Sequence, residues 1–391
     1  MLTIQSMSEQ GDDAWRGRQA AKKRREYTIQ AVLLLVLCAI VAAAVMNVSD
    51  NLAERHIRSG FSFVFSSTGF DIGESMIPFA SQDPMWKGFL VGMLNTIKVS
   101  LYAIVTATIL GVIVGLMRLS RHPLLRFLGV AHVEVYRNIP LLVLLLAVYL
   151  LVTELLPGAR SALHIGDWVY LSKSGLQYAV PAFSGTAIWL ALGGATLSAF
   201  VSYRYVRAKT TDLVASLWAL VSFAVVACLI WLLVGTLGGW IHPEQTRFSL
   251  RGGGQITPEF LSLWIGLTLF TSAAIAEIVR AGVLAVRPQQ WDAGFALGLT
   301  RAETISYVIF PQSMRLVIPP LSSQFMNLTK NSSLAVVVGY PDLVSIGNTT
   351  INVSAQALEV ICIIMMVYLS LNLIISLVMN MFNRRVMQAP Q

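Results

Sequence analysis

The sequence predicts an all-α integral membrane protein with about eight transmembrane helices. Of its 391 residues, 55% are hydrophobic and only 12% are charged, whereas a soluble globular domain has about 25% charged residues. The apolar residues are also clustered, and several runs approach or exceed the roughly 18 residues that a bilayer-spanning helix needs. The formal net charge of +8 has a simple explanation, because cytoplasmic loops of membrane proteins collect Lys and Arg. Nucleic-acid binding is therefore not expected.

The first predicted span follows a basic N-terminal tail, residues 1–26. Its apolar run is longer than the 7–15 residues of a signal-peptide core, so we interpret it as a retained helix. The remaining spans follow at intervals to the C-terminus. The eight predicted spans are 29–46, 90–116, 139–152, 187–201, 213–234, 260–277, 316–338 and 358–381.

These spans predict the domain organisation. The tail, residues 1–26, is followed by the first helix and an outer loop, residues 27–87. One transmembrane domain is expected over residues 88–380, with a two-helix insert near 153–258. Residues 381–391 form a second cytoplasmic tail.

The basic residues agree with this count of spans. With the N-terminus inside, the five cytoplasmic segments carry six, four, three, four and two Lys or Arg residues, which is 19 of the 28. The outer loops are at least as long but share the remainder with the spans. This asymmetry is typical of a protein with both termini in the cytoplasm, and an odd number of helices would break it.

The connection between the sixth and seventh spans has helix-forming signals. Pro288 suits a first helical turn, and Gly298 suits the left-handed position that closes a helix. Thr300 and Glu303 have the spacing of a capping box, which predicts a second short helix. We expect Pro311 to end that helix, because proline disfavours helix at the residue before it. The pattern predicts two short helices joined by a tight corner.

Trp291, Phe295 and Gly298 recur at helical spacing in this connection, so one face is apolar or small. Such a corner can dock in a groove of a partner protein. A surface loop with helical turns explains the same residues equally well. Physical reasoning alone leaves both interpretations open.

The same stretch resembles the EAA loop of ABC importer permeases. The family pattern is Glu-Ala-Ala, three residues, Gly, nine residues and Ile-x-Leu-Pro, and this chain keeps the spacing with Asp292-Ala293-Gly294, Gly298, Val308 and Phe310-Pro311. The departures at Gly294, Val308 and Phe310 are conservative. The resemblance implies a type I ABC importer permease fold whose loop seats in a cleft of an ATPase subunit. The coupling residues that it implies are Asp292, Ala293, Gly294, Gly298, Arg301 and Glu303.

Three further segments resemble the polar and general L-amino-acid branch of these permeases, and its Q-type subunits in particular. They are residues 134–142, residues 327–334 with Tyr340-Pro341-Asp342-Leu343, and residues 51–61 with 69–74. The resemblance implies a bacterial inner-membrane subunit that imports L-amino acids with broad specificity. It also implies three partners: a homologous permease in a heterodimer, a cytoplasmic ATPase dimer that binds the ATP, and a periplasmic amino-acid-binding protein. This chain then needs no cofactor of its own.

The seventh span is unusually polar between Ser322 and Ser333. A lipid-facing helix does not tolerate this composition, because unsatisfied polar groups and a lysine are costly in hydrocarbon. Amide groups both donate and accept hydrogen bonds, which suits the zwitterionic end of an amino acid. Packing between helices or subunits is an equal alternative. The candidate pathway residues are Gln324, Asn327, Lys330 and Asn331.

The sequence does not favour intrinsic enzymatic activity. No Gly-Lys dipeptide occurs, so the chain has no Walker-type phosphate loop, and neither a His-Glu-x-x-His motif nor Cys/His metal spacing occurs. A membrane-embedded enzyme is therefore disfavoured. A self-contained secondary transporter is the alternative function, with Lys98, Glu154 or Lys330 handling the coupling ion. Glu277 and Arg280, at i and i+3, are expected to pair with each other.

Overall fold

The computed structural model describes most of the chain from residue 60 onward and part of the N-terminal segment. The described residues are 60–208, 212–246 and 249–387, with 22, 25–40, 42–43, 46–47, 51 and 54. The described residues before position 60 are helical. Within the predicted first span they include 29–40, 42–43 and 46. The other residues of that span, most of the basic tail and residues 55–59 lie outside the described set.

The chain divides into two compact units. The first comprises Met1–Phe63 and Ser354–Glu359, and the second comprises Val64–Val353 and Val360–Gln391. In the first unit, the backbone N–H of Gly60 donates to the Glu359 carboxylate at 2.7 Å. The second unit contains the elements that matter for function.

Helices make up most of the described chain. Leu151–Leu155 and Thr304–Ile309 are π-helical, and Ser62–Phe65, Ala159–Ser161 and Ser332–Val338 are 3₁₀-helical. The α-helices are α1 (Met85–Leu119), α2 (Pro123–Asn138), α3 (Leu141–Leu150), α4 (Ser184–Arg207), α5 (Asp212–Gly238), α6 (Pro258–Leu284), α7 (Pro288–Ala296), α8 (Arg301–Glu303), α9 (Phe310–Asn331), α10 (Leu343–Ser354) and α11 (Ala357–Met387).

Five of the described helices are long and apolar enough to cross a membrane: α1, α4, α5, α6 and α11. The count rises to seven if two bent pairs each form one span. The pair Pro123–Asn138 and Leu141–Leu155 bends by 105°, and the pair Thr304–Val338 and Leu343–Ser354 bends by 53°. The predicted spans 139–152 and 316–338 are therefore parts of broken segments. The first break coincides with Pro140, which disfavours helix at the residue before it.

The most extensive helix packing in the second unit joins α1 to α6. A Cβ atom on Gly111 would meet the Ile275 side chain at 2.7 Å, and one on Gly115 would meet the Ala276 carbonyl oxygen at 2.9 Å. Small residues at these positions let the two backbones approach closely, as is usual between membrane helices. Val99, Leu145 and Leu263 are fully buried in the core around this contact.

The region between α3 and α6 contains the two helices α4 and α5, which pack side by side, and eight short strands that the sequence did not lead us to expect. All pairings are antiparallel, in the orders β1-β2-β3-β8, β4-β5 and β6-β7. The strands are β1 (Leu163–Ile165), β2 (Val169–Ser172), β3 (Gly175–Tyr178), β4 (Val180–Pro181), β5 (Trp240–Ile241), β6 (Glu244–Gln245), β7 (Leu250–Arg251) and β8 (Gly254–Ile256).

Candidate functional site

The predicted corner lies between α7 and α8. Gly298 has φ of 77°, the left-handed conformation that glycine adopts without steric cost. The N–H of Gly298 donates to the Phe295 carbonyl oxygen at 2.9 Å, and the N–H of Leu299 donates to that of Gly294 at 3.2 Å. The Thr300 side chain accepts from the Glu303 N–H while the Glu303 carboxylate accepts from the Thr300 N–H. The expected corner and capping box are both present.

The expectation that Pro311 ends the second short helix is wrong. After α8 the chain continues through the π-helical turn Thr304–Ile309 directly into α9, and Pro311 lies in the first turn of α9. Inside a continuous helical run, proline removes one backbone N–H and crowds the carbonyl of the preceding turn, and a local π turn can accommodate both effects. The wider π turn makes this continuation possible. The corner is therefore joined rigidly to the helix that holds the polar segment.

Most of the residues implied for ATPase coupling are exposed. Asp292, Ala293, Gly298, Arg301 and Glu303 face solvent, together with Phe295 at 49% and Leu297 at 79% exposure. Hydrogen bonds from the Thr300 hydroxyl and backbone N–H hold the pKa of Glu303 below its ordinary value. An exposed surface with large apolar side chains next to charged ones is typical of a docking site.

Gly294 is the buried member of this set. A Cβ atom at Gly294 would meet Thr304 Cγ2 at 2.6 Å and Thr304 Oγ1 at 2.9 Å. The glycine, where the family pattern has alanine, therefore fits the close approach of α7 to the π-helical turn. A hydrogen bond from Gln312 Nε2 to Gln290 Oε1, at 3.0 Å, also ties α7 to α9.

A surface pocket of ≈ 380 Å³ opens beside α7. Pro288, Trp291 and Phe295 supply apolar side chains, and Asp292 and Arg301 supply charges. Arg121, from the connection between α1 and α2, is the sixth lining residue. Sequence reasoning missed Arg121 as a site residue, since the only signal was its place in a basic segment after a predicted span.

The polar segment of α9 has two different sides. Leu328 and Thr329 are buried, and the Thr329 hydroxyl donates to the Phe325 carbonyl oxygen of its own helix at 3.0 Å. Asn327 and Lys330 are exposed, and Gln324 and Asn331 are half-buried. Among the described residues none of these four side chains has a hydrogen-bond partner. The exposed positions of α9 recur every three or four residues, at Leu316, Pro319, Pro320, Ser323, Asn327 and Lys330.

The three residues of the secondary-transporter alternative are not brought together. Lys98 pairs with Glu74 at 2.6 Å and lies 4.5 Å from the centre of the Phe260 ring. Glu154 is exposed and lies 3.8 Å from Lys173. Lys330 is on the exposed side of α9. Each charge has a different environment, so these residues do not form a shared ion site.

Glu74 joins several elements at the Met85 end of α1, a role that its place in a polar loop did not predict. Its carboxylate accepts from Lys98 and, at 2.7 Å, from Thr257 at the start of α6. Its carbonyl oxygen accepts from Asn95 Nδ2 at 2.8 Å, and the same amide donates to the Pro341 carbonyl oxygen at 2.9 Å. The loop before α1 is thus fastened to α1 and to the start of α6, and Asn95 also joins α1 to the segment before α10.

The expected pair of Glu277 and Arg280 is present at the other end of the α1–α6 contact. Arg280 Nη2 lies 2.6 Å from Glu277 Oε1, and Arg118 of α1 pairs with the same carboxylate. The ring of His132 on α2 hydrogen-bonds Ser272 of α6 at 2.9 Å. These contacts hold α1, α2 and α6 together near the corner.

Comparison with known proteins gives consistent matches along the chain. Residues 107–388 match the family described as "Binding-protein-dependent transport system inner membrane component". The general L-amino acid transport system permease protein AapQ of Rhizobium johnstonii is 38% identical over 93% of this chain and 92% of its own length. The putative amino-acid ABC transporter permease protein YhdX of Escherichia coli is 38% identical over 93% and 94%.

The name of a third relative specifies four amino acids. The glutamate/glutamine/aspartate/asparagine transport system permease protein BztB of Rhodobacter capsulatus is 34% identical over 93% of each chain. All three relatives extend across the region with α4, α5 and the strands, because the matches cover nearly the whole of both chains.

Proposed function

This chain belongs to the family of binding-protein-dependent transport system inner membrane components, and on that premise we propose how its parts carry out import. It is an integral inner-membrane protein, the permease subunit of an ABC importer for amino acids. A separate ATPase subunit hydrolyses the ATP, so this chain is not itself an enzyme, and a binding protein delivers the substrate. The expected alternative of a self-contained secondary transporter receives no support from these relatives.

We propose that the imported substrates are L-amino acids of several side-chain classes. The similarity to a general L-amino acid permease over nearly the whole length supports this breadth. The test is ATP-driven uptake of labelled glutamate into proteoliposomes holding the complete importer, with other L-amino acids as competitors. Competition by polar and apolar L-amino acids, but not by their D-enantiomers, is the expected result. If only acidic amino acids and their amides compete, the proposal that the substrates belong to several side-chain classes is wrong.

The observation that carries the coupling proposal is the exposed corner between α7 and α8. We assign the contact with the ATPase to Asp292, Ala293, Gly298, Arg301 and Glu303, and assign Gly294 to coupling through the packing of α7 against the π-helical turn. Gly298 sets the direction of the corner, and the capping box of Thr300 and Glu303 starts the next helix. Because the helical run from α8 enters α9 without a break, a displacement of the corner moves the polar segment directly.

We further propose that the exposed face of α9 borders the substrate path, where this chain meets a homologous second permease. Gln324, Asn327, Lys330 and Asn331 have no hydrogen-bond partners among the described residues, and polar groups in a membrane need either protein or water partners. A path between two permeases supplies both. Asn and Gln amides bind carboxylate and ammonium groups equally well, which suits amino acids.

The proposed topology has both termini in the cytoplasm. The positive-inside bias supports it, and it places the corner inside and the strands outside. The proposed domains stay as predicted: tails at 1–26 and 381–391, an outer segment within 27–87, and a transport domain at 88–380 with its insert near 153–258. In a cysteine-free background, Gln255→Cys should react with an impermeant thiol reagent from outside, whereas Gln289→Cys should be protected. The reverse pattern would overturn this topology.

A further inference from the structure

Two guanidinium groups without ion-pair partners line the pocket beside α7. Arg121 lies just after α1, and Arg301 is the first residue of α8. In the described part of the chain, neither side chain has a carboxylate within ion-pair distance, although Asp292 lines the same pocket. The two cations therefore leave an excess of positive charge over an apolar floor of Pro288, Trp291 and Phe295.

We propose that this pocket receives an acidic side chain of the ATPase subunit between Arg121 and Arg301, with an apolar neighbour of that residue against Trp291 and Phe295. The proposal rests on the proposed function, because it names the chemistry of the partner at the coupling corner. It also extends the docking surface from the corner itself to the connection between α1 and α2.

The chemistry of the lining favours an acidic protein segment over a lipid headgroup. A pocket of ≈ 380 Å³ with two aromatic walls accommodates one or two protein side chains. Guanidinium groups bind carboxylates through two parallel hydrogen bonds, a bidentate geometry that fixes the orientation of the carboxylate as well as pairing its charge. Asp292 lines the same pocket and lowers its net positive charge, which weakens a non-specific attraction to an anionic membrane surface.

A carboxylate in this position would join two separate parts of the permease. Arg121 follows the last turn of α1, and Arg301 begins the helical run that leads into α9. One acidic residue of the ATPase would then bind both the end of α1 and the start of the helical run that leads into α9. Movement of the ATPase during its cycle would be transmitted to α1 as well as to α9.

The test measures the affinity of the ATPase for the permease complex in nanodiscs of neutral lipid. Arg121→Glu should weaken binding about three- to tenfold, since it replaces an attractive charge by a repulsive one at a solvated site. Arg126→Glu is the matched control, because Arg126 is equally exposed, lies five residues further on and does not line the pocket. A compensating Glu→Lys or Asp→Lys change in the ATPase should restore binding to the Arg121→Glu variant.

A second variant, Phe295→Asp, distinguishes a wrong acidic contact from a wrong docking site. If Phe295→Asp abolishes ATPase binding while Arg121→Glu binds like Arg126→Glu, the corner docks the ATPase but the acidic contact is wrong. If neither Phe295→Asp nor Arg121→Glu changes binding, the proposed docking site itself is wrong. If Arg121→Glu weakens ATPase binding only in nanodiscs with anionic lipid, the pocket binds a lipid headgroup and not an ATPase residue. That result would overturn the proposal.

Discussion

Asn327 is the residue at which pathway and packing roles differ most clearly. It is exposed on α9, and Lys330 is exposed one helical turn away. If Asn327 sets selectivity, its amide forms a hydrogen bond with a charged or polar side chain of the amino acid, the part that differs between substrates. If it only packs against another helix, its contribution is smaller, because interhelical hydrogen bonds in membranes average about 0.6 kcal/mol.

We predict that Asn327→Leu changes the relative rates of different amino acids by about tenfold, because hydrogen bonds to charged groups contribute about 1.5–3 kcal/mol. The measurement is uptake of several labelled amino acids by the assembled complex. Asn372→Leu is the control, because the Asn372 amide donates to the Tyr368 carbonyl oxygen of its own helix at 2.7 Å. Equal changes for all substrates, with a lowered melting temperature of the complex, would assign Asn327 to packing.

The sequence predicted the polar character of this segment but could not predict which side is exposed. Gln324, Asn327 and Asn331 share a face by spacing alone, yet burial of Leu328 and Thr329 depends on contacts with distant elements. The contacts of the half-buried Glu74 were missed for the same reason. Each of them joins residues far apart in the chain, and no local pattern marks such partners.

The corner between α7 and α8 shows how local signals can specify an element. Glycine, threonine and glutamate at fixed spacing predicted the left-handed turn and the capping box, and both are present. The continuation through Pro311 was not predicted, because the local rule that proline ends a helix does not foresee a π-helical turn. That turn lets the helical run pass the proline, as it does here between α8 and α9.

We predict that Gly298→Val lowers ATPase activity stimulated by the binding protein to roughly a tenth, because a left-handed conformation costs L-residues about 1–2 kcal/mol and a β-branched residue more. Apart from its chain neighbours, no atom of the described residues lies within 4 Å of a Cβ atom at Gly298, so the effect comes from the backbone. Gly298→Asn is the matched control, since asparagine tolerates this conformation. If Gly298→Val keeps the stimulated ATPase activity of the unsubstituted protein, the corner does not take part in coupling.

For the whole molecule, composition and charge asymmetry predicted the class and most of the spans. The short strands could not be predicted, because each has only two to four residues and β3 pairs with β8 across the intervening α4 and α5. Strands of this length show no usable alternation of apolar and polar residues. The breaks at Pro140 and near Tyr340 lie at prolines, but their bend angles of 105° and 53° could not be predicted from the sequence.

We propose that a separate ATPase drives transport by this chain through the corner between α7 and α8. The decisive measurement is uptake of labelled amino acid into proteoliposomes that contain the permease complex, with and without the ATPase, in the presence of ionophores that collapse ion gradients. We expect uptake that requires the ATPase, ATP and the binding protein and that ionophores do not change. Uptake by the permease alone that follows a proton or sodium gradient would contradict it.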